Sequence, residues 1–229
     1  MSDFSEVITI DGPTGAGKTT LGHWLADLFA CEYLESGYLY RAATRQAIAE
    51  GVDRNSWDGE LLTGLHVRPR TPSPGGHDQE VCFGARRPTL EDDLFAKEVD
   101  ELVARVAAVP AVRRSVRDIV RDIAHRRKMV ISGRDAGTQI VPEARHKLFL
   151  LATKEVRIAR VRGRDGEPQA LPDESPRGPE RGAATSRQEL ESQLLSSQLQ
   201  PAQDALVIET SATTIDAVRA RALHHLRRA

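Results

Sequence analysis

The chain has 229 residues, enough for one large domain or two small ones, and long enough to bury a substantial core without disulfide or metal support. Hydrophobic residues make up 40% and charged residues 28%, the composition of a soluble globular protein, and 32 Lys+Arg against 33 Asp+Glu leave a formal net charge of −1. That balance excludes binding to nucleic acid or an anionic membrane through bulk charge, and 4% aromatic residues argue against a stacking platform for single strands.

No apolar run is long enough to span a bilayer, and the polar, acidic stretch Met1 to Glu6 lacks the pattern of a secretory signal. The two cysteines, Cys31 and Cys82, stand far apart, which excludes a disulfide framework or a CxxC zinc module and fits a reducing cytoplasm. His224-His225 lies near the basic end of an expected helix and reads as charge placed against the helix dipole rather than as a metal site.

In chain order, residues 7–10 form a β-branched strand. A glycine-rich turn follows, and residues 18–30 place Leu21, Trp24, Leu25 and Leu28 at helical spacing. Residues 31–34 read as a strand and 37–50 as a helix. This alternation predicts a parallel sheet with helical crossovers. Residues 51–64 are turn-rich, and 65–67 and 80–83 read as short strands around a Pro/Gly-dense loop, giving an inserted hairpin. Residues 92–109 and 111–127 read as two helices parted by Pro110. Strand 129–132, the loop Gly133 to Gly137, strand 147–151 and helix 154–162 come next. Residues 163–182 hold four prolines and two internal glycines, the composition of a mobile loop. A helix at 186–199, a fifth strand at 205–209 and a helix at 213–228 complete the chain.

Gly12-Pro13-Thr14-Gly15-Ala16-Gly17-Lys18-Thr19 satisfies the P-loop pattern between a strand and an amphipathic helix, the context it requires. Glycines let successive backbone N–H groups converge on phosphate oxygens. Lys18 supplies a mobile positive charge to the outer phosphates, Thr19 a hydroxyl to Mg²⁺, and the helix its positive end. ATP or another nucleoside triphosphate with Mg²⁺ is the expected ligand, with Thr20 completing the nucleotide-binding stretch. A GTPase would need a base-reading NKxD-like motif and a DxxG switch, and neither stands in suitable context. A motor ATPase would need an apolar strand ending in a carboxylate. Here Met129-Val130-Ile131-Ser132 runs instead into Gly133-Arg134-Asp135. An Arg–Asp pair at the C-terminal end of a parallel strand suits a second substrate, the arginine clamping phosphate and the aspartate accepting from an amino or hydroxyl group.

Four segments together resemble bacterial cytidylate kinase, a P-loop nucleoside monophosphate kinase. They are the P-loop, Glu35-Ser36-Gly37-Tyr38-Leu39-Tyr40-Arg41, Gly133-Arg134-Asp135-Ala136-Gly137-Thr138, and Pro201-Ala202-Gln203-Asp204-Ala205-Leu206-Val207-Ile208-Glu209-Thr210. Val106 to Arg113 fits as well, and the matches run in family order over nearly the whole chain. The resemblance implies an α/β, three-layer fold with a five-stranded parallel sheet, an inserted monophosphate-binding region and a lid. It divides the chain into a P-loop core, 1–62 and 106–229, with the lid at about 154–182, and an insert at 63–105. The implied reaction passes the γ-phosphoryl group of ATP to CMP or dCMP. Ser36 and Arg41 would hold the monophosphate, in a segment that also brings Gly37 and Tyr40. Arg113 and Asp135 would lie near the cytosine, and Arg134 on acceptor phosphate. Arg157 and Arg160 match lid arginines, with Arg162 and Arg164 as extra candidates. A cytoplasmic monomer acting on small nucleotides is expected, with no nucleic-acid or membrane partner.

The pattern departs from the family in places. Ala104 stands where a serine contacts the base. In Arg187-Gln188-Glu189-Leu190-Glu191-Ser192-Gln193-Leu194, Gln188 and Glu191 replace aspartates and Leu194 an arginine, and Ser197-Gln198-Leu199 replaces Ala-Pro-Leu. A neutral hydrogen bond is worth about 0.5–1.5 kcal/mol and a charge-assisted one about 1.5–3 kcal/mol, so Leu194 is the largest departure. Glu191 keeps the charge and reaches toward a ribose hydroxyl. Two further readings stay open: a kinase for a modified, 5-substituted pyrimidine nucleotide, and a nucleotide-binding protein without transfer activity.

Overall fold

The computed structural model describes residues 4–53, 56–72, 77–84, 88–164 and 199–228. β1 (Val7–Asp11) is buried along its whole length. A strand without an exposed face must be covered on both sides, as in a parallel sheet between helical layers. It pairs in parallel with β5 (Met129–Gly133) on one side and β6 (His146–Leu151) on the other. β2 (Glu32–Glu35) adds to β5 and β7 (Leu206–Glu209) to β6, so the sheet has five parallel strands in the order β2-β5-β1-β6-β7.

Side chains alternate across each strand and feed two cores. On one face Leu21 and Leu25 of α1 (Lys18–Leu28) and Val218 and Ala222 of α7 (Ile215–Arg228) pack with Val130, Leu148, Leu150 and Ile208. On the other, Leu39 and Ala43 of α2 (Gly37–Ala49) and the stripe Val112, Val116, Val120 and Ala124 of α5 (Pro110–Ala124) pack with Leu34, Met129 and Ile131. α5 opens on Pro110, whose missing N–H would have had no partner in a first turn. Each buried valine of the stripe contributes about 1.5–3 kcal/mol, so one charge at Val116 would undo the layer.

Between α2 and α5 the chain leaves the sheet. A 3-10 turn (Gly59–Leu62) leads into β3 (Leu65–Arg68), antiparallel to β4 (Glu80–Phe83) with Leu65 opposite Phe83. This hairpin is tied to the outer edge of β2. Tyr33 and Arg70 exchange backbone hydrogen bonds of 2.9 and 2.8 Å, and the Arg70 guanidinium donates to both carboxylate oxygens of Asp27 at 3.0 and 3.3 Å. An exposed parallel edge is thereby covered.

Several boundaries differ from the sequence reading. The single helix expected at 92–109 is two, α3 (Glu91–Leu94) and α4 (Lys97–Val106). The chain turns extended at Ala96, and the carbonyl of Leu94 accepts from Arg41 Nη1 at 2.9 Å instead of continuing a helix. The loop expected from Gly133 to Gly137 is shorter, because Gly133 still pairs in β5 and Ala136–Ile140 form a π-helical turn. α6 (Lys154–Arg164) runs two residues beyond the expected helix end. Nearly all of the expected loop at 163–182 and helix at 186–199 lies outside the described residues.

Candidate functional site

The C-terminal ends of β1, β2 and β5 meet where open parallel sheets bind ligands. β1 delivers the P-loop. Gly12 has φ 143°, and a Cβ there would sit 2.3 Å from the Leu150 carbonyl oxygen. Gly15 has φ 81°, and its Cβ would sit 2.7 Å from the carbonyl oxygen of Arg157. Only glycine adopts these angles at such close approach. Lys18 opens α1, and its Nζ donates to the carbonyl of Pro13 at 3.0 Å, so its charge lies over the loop.

Thr19 Oγ1 donates to Glu35 Oε2 at 3.0 Å. Tyr33 OH also donates to that oxygen, at 3.2 Å, and shares a 2.6 Å hydrogen bond with Ser132 Oγ. Burial first, and then the charge of Glu35, push the Tyr33 phenol well above its usual range, so it stays a donor. Gln79, just before β4, holds the Glu35 backbone at both ends, accepting from its N–H at 2.6 Å and donating to its carbonyl at 3.1 Å. A hydroxyl beside a carboxylate is a pair of hard oxygens suited to Mg²⁺, which takes few protein ligands and keeps substrate phosphates for the rest. Among the described residues no group of three or more His, Cys, Asp or Glu side chains forms a metal cage.

Three arginines surround the loop. Arg134 Nη2 donates to Thr14 Oγ1 at 3.1 Å, Arg157 Nη1 to the Thr14 carbonyl at 3.3 Å, and Arg160 Nη1 to the Gly15 carbonyl at 3.3 Å. Arg160 also donates to the hydroxyl and carbonyl of Thr210 at 3.0 and 2.8 Å, which ties α6 to the end of β7. With Lys18 they form a cationic rim where triphosphate charge would lie.

The turn after β5 is fixed by Asp11, the last residue of β1. Its two carboxylate oxygens accept from the backbone N–H groups of Ala136 and Gly137, both at 2.7 Å. Burial raises its pKa to about 6, the two N–H groups and Lys18 lowering it in part and Asp135 adding to the rise. Asp135 is itself buried and ion-paired to Arg113. Burial raises its pKa, and Arg113 and Arg134 counter that rise. Arg113 donates as well to the Ala107 carbonyl at 3.1 Å and lies 5.9 Å from the ring centroid of buried Tyr40.

Among the other residues singled out from sequence, Ser36 is buried and donates from Oγ to the Ser132 carbonyl at 3.1 Å. Gly37 begins α2, and Pro13, Ala16 and Gly17 complete the loop. Thr20 follows Thr19 in the first turn of α1 and is exposed, in a groove that Thr19 also lines. Arg41 is buried under α3 and α4. Ala104 is buried, and Arg162 exposed. Gln188, Glu191 and Leu194 lie outside the described residues, as does the side chain of Arg164. Sequence reasoning passed over Asp11, Glu35 and Thr210. The signal for Asp11 was a lone carboxylate ending an otherwise apolar strand.

A description of the cytidylate kinase family matches residues 8–228. The chain belongs to that family. The kinase is 35% identical to the cytidylate kinase of Exiguobacterium sibiricum over 222 residues, covering 93% of each chain. It is 37% identical to the cytidylate kinase of Thermus thermophilus over 227 residues, covering 97% of this chain and 99% of that one. A solved structure from Thermus thermophilus shares the fold at 17% identity, with a TM-score of 0.51 over 98% of this chain and 97% of the other. As a family member the protein is a phosphotransferase, and a kinase family implies ATP as donor and usually Mg²⁺. Among the described residues no helix is long and apolar enough to cross a membrane.

Proposed function

We propose that this kinase transfers the γ-phosphoryl group of ATP to the phosphate of CMP or dCMP, giving CDP or dCDP and ADP. The observation that carries this reading is the 3.1 Å contact between Arg134 and Thr14, which joins the phosphate-donor loop to the turn holding the Arg–Asp pair. Donor and acceptor groups thus share one edge of the sheet.

Phosphoryl transfer asks little covalent chemistry of a protein. It asks that two anions be held in line and that charge developing between them be met by fixed cations. In this reading the P-loop N–H groups and Lys18 hold the β- and γ-phosphates, and Arg134, Arg157 and Arg160 meet the transferring charge. An acceptor phosphate oxygen attacks the γ-phosphorus, and the bond to the bridging oxygen of ADP breaks. The acceptor is already an anion, so no protein base is needed. Thr19 and Glu35 would hold Mg²⁺, which when bound neutralises charge on the β- and γ-oxygens. Ser36 and Arg41 serve the acceptor phosphate.

Asp135 and Arg113 together fit cytosine. The base offers an exocyclic amino donor beside ring and carbonyl acceptors, and the ion pair offers a carboxylate beside guanidinium N–H groups. Uracil presents a carbonyl at the amino position and meets the carboxylate lone pairs. Residues 63–105 are read as the monophosphate-binding insert and 154–182 as the lid, in a monomeric cytoplasmic enzyme. The test is an ATP-coupled assay against CMP, dCMP, UMP, dUMP, AMP, GMP and 5-substituted cytidylates. Highest kcat/KM for CMP or dCMP is expected. A different preferred acceptor, or no turnover with any, overturns the proposal.

A further inference from the structure

Arg41 is 5% exposed, among the most buried cations described. Its Nη1 donates to the Leu94 carbonyl at 2.9 Å and to Asp100 Oδ1 at 2.7 Å, and its guanidinium carbon lies 3.9 Å from the ring centroid of Phe95. These three contacts come from the α3–α4 segment. The covering is asymmetric: the Arg41 side chain is 6% exposed, that of Asp100 35%.

An acceptor monophosphate asks of Arg41 what Asp100 already supplies, anionic oxygens within reach of its N–H groups. We propose that Asp100 is an internal competitor of the acceptor phosphate, occupying Arg41 in the free protein and exchanged for the phosphate when the acceptor binds. This rests on the reading of Arg41 as an acceptor-phosphate ligand. The burial pattern favours exchange. A buried guanidinium left unpaired is strongly unfavourable, and exchange keeps Arg41 paired in both states. Asp100, already one-third exposed, lies nearer to water than the guanidinium it covers. If Asp100 merely aimed Arg41 at a substrate, Arg41 would have to show an open face, yet Phe95, the Leu94 carbonyl and Asp100 leave almost none. Apparent acceptor affinity is then reduced by the fraction of Arg41 not engaged by Asp100.

The two roles predict opposite signs for one substitution. Asp100→Asn keeps the size and one acceptor oxygen but removes the charge. Titration calorimetry with CMP and no ATP should show binding tightened roughly tenfold, if the pair is about nine-tenths formed in the free protein. Asp100→Glu, which restores the charge, should bind CMP within a few-fold of wild type, and ATP affinity should not move in either variant. Asp100→Ser serves the same purpose should the Asn variant fail to fold. CMP binding that is unchanged or weaker in a folded, charge-free variant overturns the competition. Arg41→Met separates this from failure of the underlying reading. If it weakens CMP binding while Asp100→Asn fails to tighten it, only the competition falls. If it leaves CMP binding intact, Arg41 is no acceptor ligand and both fall.

Discussion

Asp11 links the two halves of the site, and its titration is open to measurement. The side chain lies between β1 and the turn after β5, with one backbone N–H on each carboxylate oxygen. Its pKa is raised from 3.8 to about 6, chiefly by burial. Because the folded value lies above the unfolded one, this group's stabilisation is complete below about pH 4 and is lost as pH rises through about 6. The difference of about two pH units corresponds to ~3 kcal/mol. Asparagine does not titrate. Urea unfolding of wild type and Asp11→Asn across pH 4 to 8 should therefore show the variant gaining about 2 kcal/mol relative to wild type, with most of the change between pH 4 and 6. Activity should move the other way. The ionised carboxylate accepts from both Ala136 and Gly137, whereas a protonated carboxyl or an amide satisfies one and opposes the other. That loosens the turn carrying Arg134 and Asp135. Wild-type kcat/KM should fall below about pH 6, and Asp11→Asn should be about tenfold lower at neutral pH, the scale of one lost hydrogen bond, with that limb of the profile flattened. A stability difference between the two proteins that does not vary with pH would refute the reasoning.

Lys18→Ala should lower kcat by at least about a hundredfold with an unchanged circular dichroism spectrum, because the ammonium acts on transferring charge rather than on packing. Glu35→Gln should raise the Mg²⁺ concentration for half-maximal rate about tenfold, the scale of one charge-assisted contact, measured by Mg²⁺ titration at saturating nucleotides. Asp135→Asn should erase most of the preference for CMP over UMP, since an amide can turn a donor or an acceptor to the base; the ratio of kcat/KM for the two acceptors reads this out directly. Gly22→Ala should destabilise by about 1–3 kcal/mol in denaturant unfolding, because its Cβ would stand 2.3 Å from the Tyr33 ring.

Local chemistry made the donor half of the site legible in sequence. A P-loop is contiguous, and its glycines, lysine and threonine act at positions set by one turn and one helix start. The parallel alternation was legible for a similar reason, since buried β-branched strands and amphipathic helices declare themselves within ten residues. What lay beyond sequence were the contacts between segments far apart in the chain. Periodicity alone read one helix at 92–109, where the pull of Arg41 on the Leu94 carbonyl breaks it in two. The family resemblance puts Arg113 and Asp135 near one base, and folding brings them, 22 residues apart in the chain, into an ion pair that no local pattern shows. Asp11 looked like the end of a strand, and only the sheet order, with β5 beside β1, sets it against the turn 125 and 126 residues later. Glu35 meets Thr19 because the parallel sheet places the end of β2 near the start of α1. The sequence by itself determined which groups can bind phosphate; the tertiary structure decided which of them are already paired, because pairing depends on distances across strands that no local pattern encodes.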